Sequence, residues 1–291
     1  MTNVVSFDQF EDEQEITAYQ IGLPRIVLEG MDDVRLFRTY WFSHMIDSFE
    51  FVEAGDIVEG GGCTAVNDAV QKSKRDNIPA FGISDRDTFF RSMNWEALFA
   101  VDEADFTAAS SGQDFYTTLR WEVEAYLLEP DLLPAWIRSH RRPPGNAAQC
   151  MAAVTNAVEE SEHLLRAHRF FATAHHCGIK VAPAYFSDRT TNTLLGACDV
   201  ALANLAHDGA LAAAVDGYVE AIIAAAPTDH AERLLWLLRY VDTKRLLVRL
   251  TKRFKAEPEV RWFLAELMLQ GNRRPVEIER KLLEVRSKMA A

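Results

Sequence analysis

Three short apolar runs constrain what the first hundred residues can fold into. Ile26-Val27-Leu28, Phe49 to Val52 and Ala80-Phe81-Gly82-Ile83 are strand-length, and the segments between them carry helical spacing. After the first run, Asp32 is placed to N-cap a helix whose apolar face is Val34, Phe37, Trp41 and Met45. After the second, Gly60-Gly61-Gly62 breaks the chain as a flexible turn, and Thr64 opens a helix carrying Val66, Ala69 and Val70 on one side. Strand, helix, strand, helix, strand predicts an α/β fold built on a parallel sheet.

Beyond about Gly145 the pattern changes to long alanine- and leucine-rich helical segments. They run from Asn146 to His176, Asn192 to Ala226, Asp229 to Phe254, Pro258 to Leu269 and Pro275 to Met289. Pro183, Pro227, Gly271 and Pro275 supply the breaks. The expected organisation is therefore a sheet-containing domain over 1–144 and an all-helical domain over 145–291.

Charge separates along the same line. The net charge is −12, yet Ala231 to Ala291 hold 15 Lys+Arg against 8 Asp+Glu, leaving 16 against 35 elsewhere. A basic C-terminal part suits an anionic partner, while solvated basic helix faces are the plain alternative. The acidic remainder suits a site that gathers carboxylates around a cation. No uncharged apolar stretch reaches the length of a membrane span. Met1 to Glu15 is acidic and unlike a signal peptide. Cys63, Cys150, Cys177 and Cys198 lack metal-ligand spacing and are expected as reduced thiols of a cytoplasmic protein.

Two of the strand candidates run into acids: Leu28 into Glu29, and Ile83 into Ser84-Asp85-Arg86-Asp87. Ligands collect outside the carboxyl ends of parallel strands, so these acids converge if the strands are neighbours. Asp33, one turn into the following helix, can point back to the same place. Asp85 and Asp87 share a face if that segment is extended. Two carboxylates 4 Å apart repel by roughly 4 kcal/mol at an effective dielectric near 20, so such a cluster needs retained protons or a divalent cation. All-oxygen ligands favour Mg²⁺ or Mn²⁺ over zinc.

The stretches Ile26-Val27-Leu28-Glu29-Gly30-Met31-Asp32-Asp33 and Gly82-Ile83-Ser84-Asp85-Arg86-Asp87 resemble the glutamate and DxD motifs of TOPRIM domains. Such domains occur in topoisomerases, primases and the overcoming-lysogenization-defect nucleases. Arg120-Trp121-Glu122-Val123-Glu124-Ala125-Tyr126-Leu127-Leu128 is similar to the glutamate motif of TOPRIM-like effectors that accompany ABC-type ATPases in PARIS phage-defence systems. The resemblance covers residues 20 to 130 and, more loosely, the helical remainder. It implies a TOPRIM-like catalytic domain in which Glu29, Asp33, Asp85, Asp87 and Glu124 hold two Mg²⁺ or Mn²⁺ ions, with Glu29, Asp85 and Asp87 also catalytic. Asp242-Thr243-Lys244 resembles the group's lysine element, and Lys244 would meet the scissile phosphate as a point charge. The family often has glycine where Thr243 stands.

Several residues keep a second reading. Glu29 also fits a helix-entry carboxylate, and Asp85 and Asp87 also fit a turn or cap. On a helix Glu122 and Glu124 are turned apart by about 200°, so one of the two is expected in the site, Glu124 by resemblance, and the other on the surface. Arg86 is either a phosphate contact or a charge balance. Arg239, Lys244, Arg245, Arg249, Lys252 and Arg253 are read as a phosphate-tracking face or as a surface for an acidic protein partner. His163, His168, His175 and His176 with Cys177 match no zinc spacing and are expected as packed or solvated positions.

Together these point to a Mg²⁺-dependent endonuclease acting on DNA or RNA, transfer RNA included, as the toxic effector of an anti-phage system. No G-x-x-x-x-G-K-[ST] loop is present, so ATP hydrolysis falls to an ABC-type ATPase partner. The active form is expected as a homodimer. The alternatives are a non-catalytic interaction module with a degenerate TOPRIM core and a haloacid-dehalogenase-type phosphatase. The latter expects Thr or Val where Phe89 stands.

Overall fold

A computed structural model describes residues 23–60, 63–110, 112–205, 209–256 and 260–289. The expected strands form as β1 (Arg25–Leu28), β2 (Glu50–Glu53) and β3 (Ala80–Ser84), joined by a fourth, β4 (Phe115–Thr117), that the apolar pattern did not announce. All four pair in parallel in the order β2-β1-β3-β4. β3 is buried along its whole length, as a central strand covered on both faces must be.

The chain divides into two compact units at other points than the expected 144/145. One comprises Met1–Ser84, Ser111–Thr117 and Met268–Ala291; the other comprises Asp85–Ser110 and Thr118–Leu267. The helical second half is therefore not one domain. Its last helix belongs with the sheet.

In the sheet unit, α1 (Met31–Arg35) follows β1, and its N-cap is Gly30 rather than the expected Asp32. The chain then passes through a π-helical stretch, Leu36–Trp41, instead of continuing as one long helix. Phe37, Trp41, Phe42, Phe49 and Phe51 make an aromatic core there. α2 (Cys63–Arg75) packs Ala65, Val66, Ala69 and Val70 with Val27 and Ala80. A Cβ on Gly82 would stand 2.9 Å from both the Phe115 ring and Val66 Cγ1, so only glycine lets helix and strand approach this closely. Gly60 has φ +112°, a glycine conformation; Gly61 and Gly62, with the acidic N-terminal stretch, lie outside the described residues. The final helix, Val276–Met289, ties back through Tyr116 Oη to Glu277 Oε1 at 2.7 Å and through Lys281 over the Phe81 and Tyr116 rings.

The second unit holds no strand among its described residues. It opens with α3 (Asp87–Arg91) and contains α4 (Ala153–Arg166), α5 (His168–His176), α6 (Thr191–Ala203), α7 (Ala210–Ala225), α8 (His230–Leu237) and α9 (Thr243–Phe254). Each longer segment expected from sequence is divided, with breaks at Ala167 and at Leu238 to Asp242. Asp242 caps α9 by accepting from the Arg245 N–H at 2.9 Å. His168 is 1% exposed, bonded through Nδ1 to the Leu164 carbonyl and packed edge-on to Trp121. Burial drives its imidazole down to about 4, so it is a neutral core residue. Of the free cysteines, Cys150 and Cys198 are buried and Cys177 is exposed. No helix of the described residues is long and apolar enough to cross a membrane.

Candidate metal centre

Asp85 is the residue after β3, and Glu122 and Glu124 come from a short connection that precedes the long helices. An oxygen from each of these three carboxylates lies within 4.8 Å of the others. The side chains are 5%, 2% and 4% exposed respectively. Glu122, expected on the surface, is thus a full member. Glu122 is extended at φ −152°, ψ 167°, and only the following Val123–Leu127 turn as a 3₁₀ helix, so the helical 200° separation never applies.

Each acid already has a protein partner. Asp85 Oδ1 accepts from the Val123 N–H at 2.9 Å. Glu122 Oε1 accepts from the Lys244 N–H at 2.8 Å, and Oε2 from the Lys244 ammonium at 2.6 Å. Glu124 Oε1 lies 3.2 Å from Arg261 Nη2 and 3.9 Å from Lys244 Nζ. Lys244 reaches the acids because α9 starts at Thr243, with the Lys244 N–H of its first turn directed at Glu122. Burial pushes the Glu122 carboxyl well above the carboxylate range, against the pull of Lys244 and with Glu124 adding repulsion. For Lys244 burial works downward, but Glu122 and Glu124 outweigh it and raise the ammonium.

Asp87 stands at the rim. A carboxylate oxygen of Asp87 comes within 4.8 Å of one of Asp85. The pair is not the extended DxD expected from sequence: Arg86 is helical at φ −61°, ψ −24°, and Asp87 starts α3. Asp87 Oδ2 takes the Arg91 guanidinium at 2.6 Å, while Oδ1 is enclosed and has no hydrogen-bond partner. Burial raises the Asp87 carboxyl despite Arg91 and Lys244. An enclosed, unanswered carboxylate oxygen requires either a proton or a cation.

These donors fit a hard divalent ion. In an octahedral Mg²⁺ shell with oxygens at about 2.1 Å, trans ligands stand about 4.2 Å apart and cis ligands about 3.0 Å, so three carboxylates spread over as much as 4.8 Å must draw inward, by up to about 1.8 Å for a cis pair, to share one ion. Asp85, Glu122 and Glu124 would hold it, with Lys244 as the neighbouring cation that must yield.

Glu29 is the half-buried first residue after β1, whose parallel neighbour β3 ends one residue before Asp85. Asp33, expected as a ligand, has its Oδ2 3.2 Å from the Gly30 N–H as a helix-entry cap, and it joins no convergent carboxylate group among the described residues.

The expected phosphate-tracking face does not form. Arg86 is 1% exposed, donates to the carbonyls of Leu98, Ala100 and Leu119, and lies between the Phe106 and Tyr240 rings. Buried Arg245 donates to the Val181 and Ala182 carbonyls, and buried Arg249 pairs with Glu160 at 2.6 Å. Arg253 is held by Glu159, Glu160, Thr191 and Asn156. Of this set Lys252 is exposed, beside Ser187 at 2.9 Å, and Arg239 pairs with Glu103 at 3.3 Å. Amphipathic spacing marked these positions as one face, but that face is turned into an ion network among helices. The sequence signals missed were Arg261, which no motif flagged, and the aromatic residues around Trp121. No family model, curated protein or solved structure matches this chain.

Proposed function

We propose that this chain is a metal-dependent endonuclease of TOPRIM type, hydrolysing nucleic-acid phosphodiesters as the effector of an anti-phage system under an ABC-type ATPase partner. The observation that carries the reading is the meeting of Asp85, Glu122 and Glu124 around one point, with Lys244 beside them. When bound, Mg²⁺ or Mn²⁺ supplies an activated water and stabilises the leaving oxygen. The chain's own part is to orient the carboxylates through Val123 N–H, Lys244 N–H and Arg261. Lys244, half-exposed, offers its ammonium to a phosphate oxygen once its acid is otherwise neutralised. Glu29, at the end of the strand beside β3, is a further acid that the TOPRIM resemblance names.

A second reading has its own support. Lys244 and Arg261 already answer Glu122 and Glu124, as they would in a non-catalytic module whose acids are purely structural. Mn²⁺ titration by calorimetry separates the two, since the module binds none. For the nuclease, purified chain is assayed on DNA and RNA with Mg²⁺ or Mn²⁺, alone and with its ATPase partner, beside Asp85→Asn and Glu29→Ala. Cleavage lost in both variants is expected. Undiminished cleavage in either would remove that residue from the site, and in both would end the proposal.

A further inference from the structure

A cavity of about 360 Å³ lies within the second unit and shares Asp87 and Asp242 with the surroundings of the acids. Part of its wall is aromatic. Trp121 and Phe171 are buried, while Phe90 and His175 are half-buried with ring centroids 5.0 Å apart. The facing wall, Ile179 to Val181, is fastened by Arg245, which lies 4.1 Å over the Phe171 ring and donates to the Val181 and Ala182 carbonyls at 2.5 and 2.7 Å. The charges lining the cavity are largely matched: Asp87 by Arg91 at 2.6 Å, and Asp242 by Arg245 at 2.9 Å. Lys180 is exposed at its edge.

Matched charges beside aromatic side chains suit a neutral aromatic ring, whereas the exposed Lys180 suits an anion attached to it. A free phosphate would meet rings where it needs donors, and an aliphatic side chain would leave Lys180 unused. A nucleotide has both parts. We infer that this cavity captures an unpaired nucleobase of the strand whose phosphate reaches the neighbouring acids, which rests on the phosphodiester reading above. Asp242 stands two residues before Lys244, and an Asp87 oxygen lies within 4.8 Å of one of Asp85, so the cavity adjoins the acids. Stacking on aromatic side chains is how unpaired bases are held without duplex geometry. A paired duplex presents no free base face, and so is excluded.

The test uses the full chain in EDTA, where metal-dependent cleavage is silent. The probes are single-stranded DNA and RNA oligonucleotides carrying one 2-aminopurine, the same strands with an abasic site at that position, and the fully paired duplexes. Binding is expected to quench the 2-aminopurine, and the abasic and duplex forms to bind about 5- to 100-fold more weakly. Phe90→Ala and His175→Ala, at half-buried positions, are expected to remove most of that preference with unchanged circular dichroism. Lys180→Glu is expected to weaken intact and abasic strands alike. Equal binding of intact and abasic strands, absence of quenching, or no binding of any probe would overturn the inference. So would tighter displacement of the probe by a tryptophan-containing peptide than by the nucleotide. The arm with the larger preference identifies DNA or RNA. Base capture without cleavage in Mg²⁺, alone and with the ATPase partner, keeps the cavity and retires the nuclease; cleavage indifferent to the abasic change does the reverse.

Discussion

Replacing Lys244 with methionine removes the ammonium and keeps most of the stem. That ammonium lies 2.6 Å from Glu122 Oε2 and 3.9 Å from Glu124 Oε1, while Glu122 is 2% exposed. Burial already raises the Glu122 carboxyl to about 8 with the ammonium in place, so without it the carboxyl rises further and stays protonated at pH 9. Between pH 7 and 9 the wild-type carboxyl gives up its proton beside Lys244 while the variant keeps it, and each pH unit beyond the wild-type folded value is worth about 1.4 kcal/mol. Lys244 is 47% exposed, so solvent already weakens its pairing, and its own desolvation is relieved in the variant. The variant's deficit is therefore expected to be level from pH 5 to 7 and to grow by about 1 kcal/mol at pH 9. The sign follows from a raised folded value: its stabilisation is complete below the unfolded value and is lost as pH climbs through the folded one, so the higher value of the variant loses more. Urea unfolding of both proteins at pH 7 and 9 reads this directly. A deficit equal at both pH values, or smaller at pH 9, would refute the reasoning and reduce Lys244 to packing.

Two further expectations concern the frame around the site. His168, lowered to about 4, should contribute stability that is complete above about pH 6.5 and lost on acidification toward 4, amounting to about 3 kcal/mol. The difference between wild type and His168→Phe in unfolding free energy across that window measures it, and a pH-independent difference would show the imidazole is not excluded from charging. Gly82→Ala should cost about 1–3 kcal/mol by forcing Phe115 and Val66 apart, read as a lowered midpoint in chemical unfolding; an unchanged midpoint would mean helix and strand can separate freely.

Much of the sheet was legible because strand signals are local. Ile26 to Leu28 and Ala80 to Ile83 are short, apolar and bounded by breakers, and they pair as parallel neighbours. β4 escaped because Phe115-Tyr116-Thr117 is three residues long and has little pattern of its own; it becomes a strand by lying beside β3. Helical periodicity likewise marked the second half, yet it could not say where a helix yields to a cap. Asp242 divides one expected helix and thereby sets Lys244 at an N-terminus.

The order and spacing of residues alone determined an α/β chain whose strands end in acids, followed by amphipathic helices. Those features rest on side-chain alternation and backbone stiffness within a few residues. Which carboxylates meet was decided only in three dimensions. Glu122 enters because its backbone is extended and the next turn is 3₁₀, and Asp33 is taken by the Gly30 N–H. Arg86, Arg245 and Arg249, basic residues that seemed suited to phosphate, are consumed by carbonyls and Glu160 inside the helical unit. A charge in a sequence has no address until packing assigns its partner, because a buried guanidinium must satisfy its donors wherever folding leaves them.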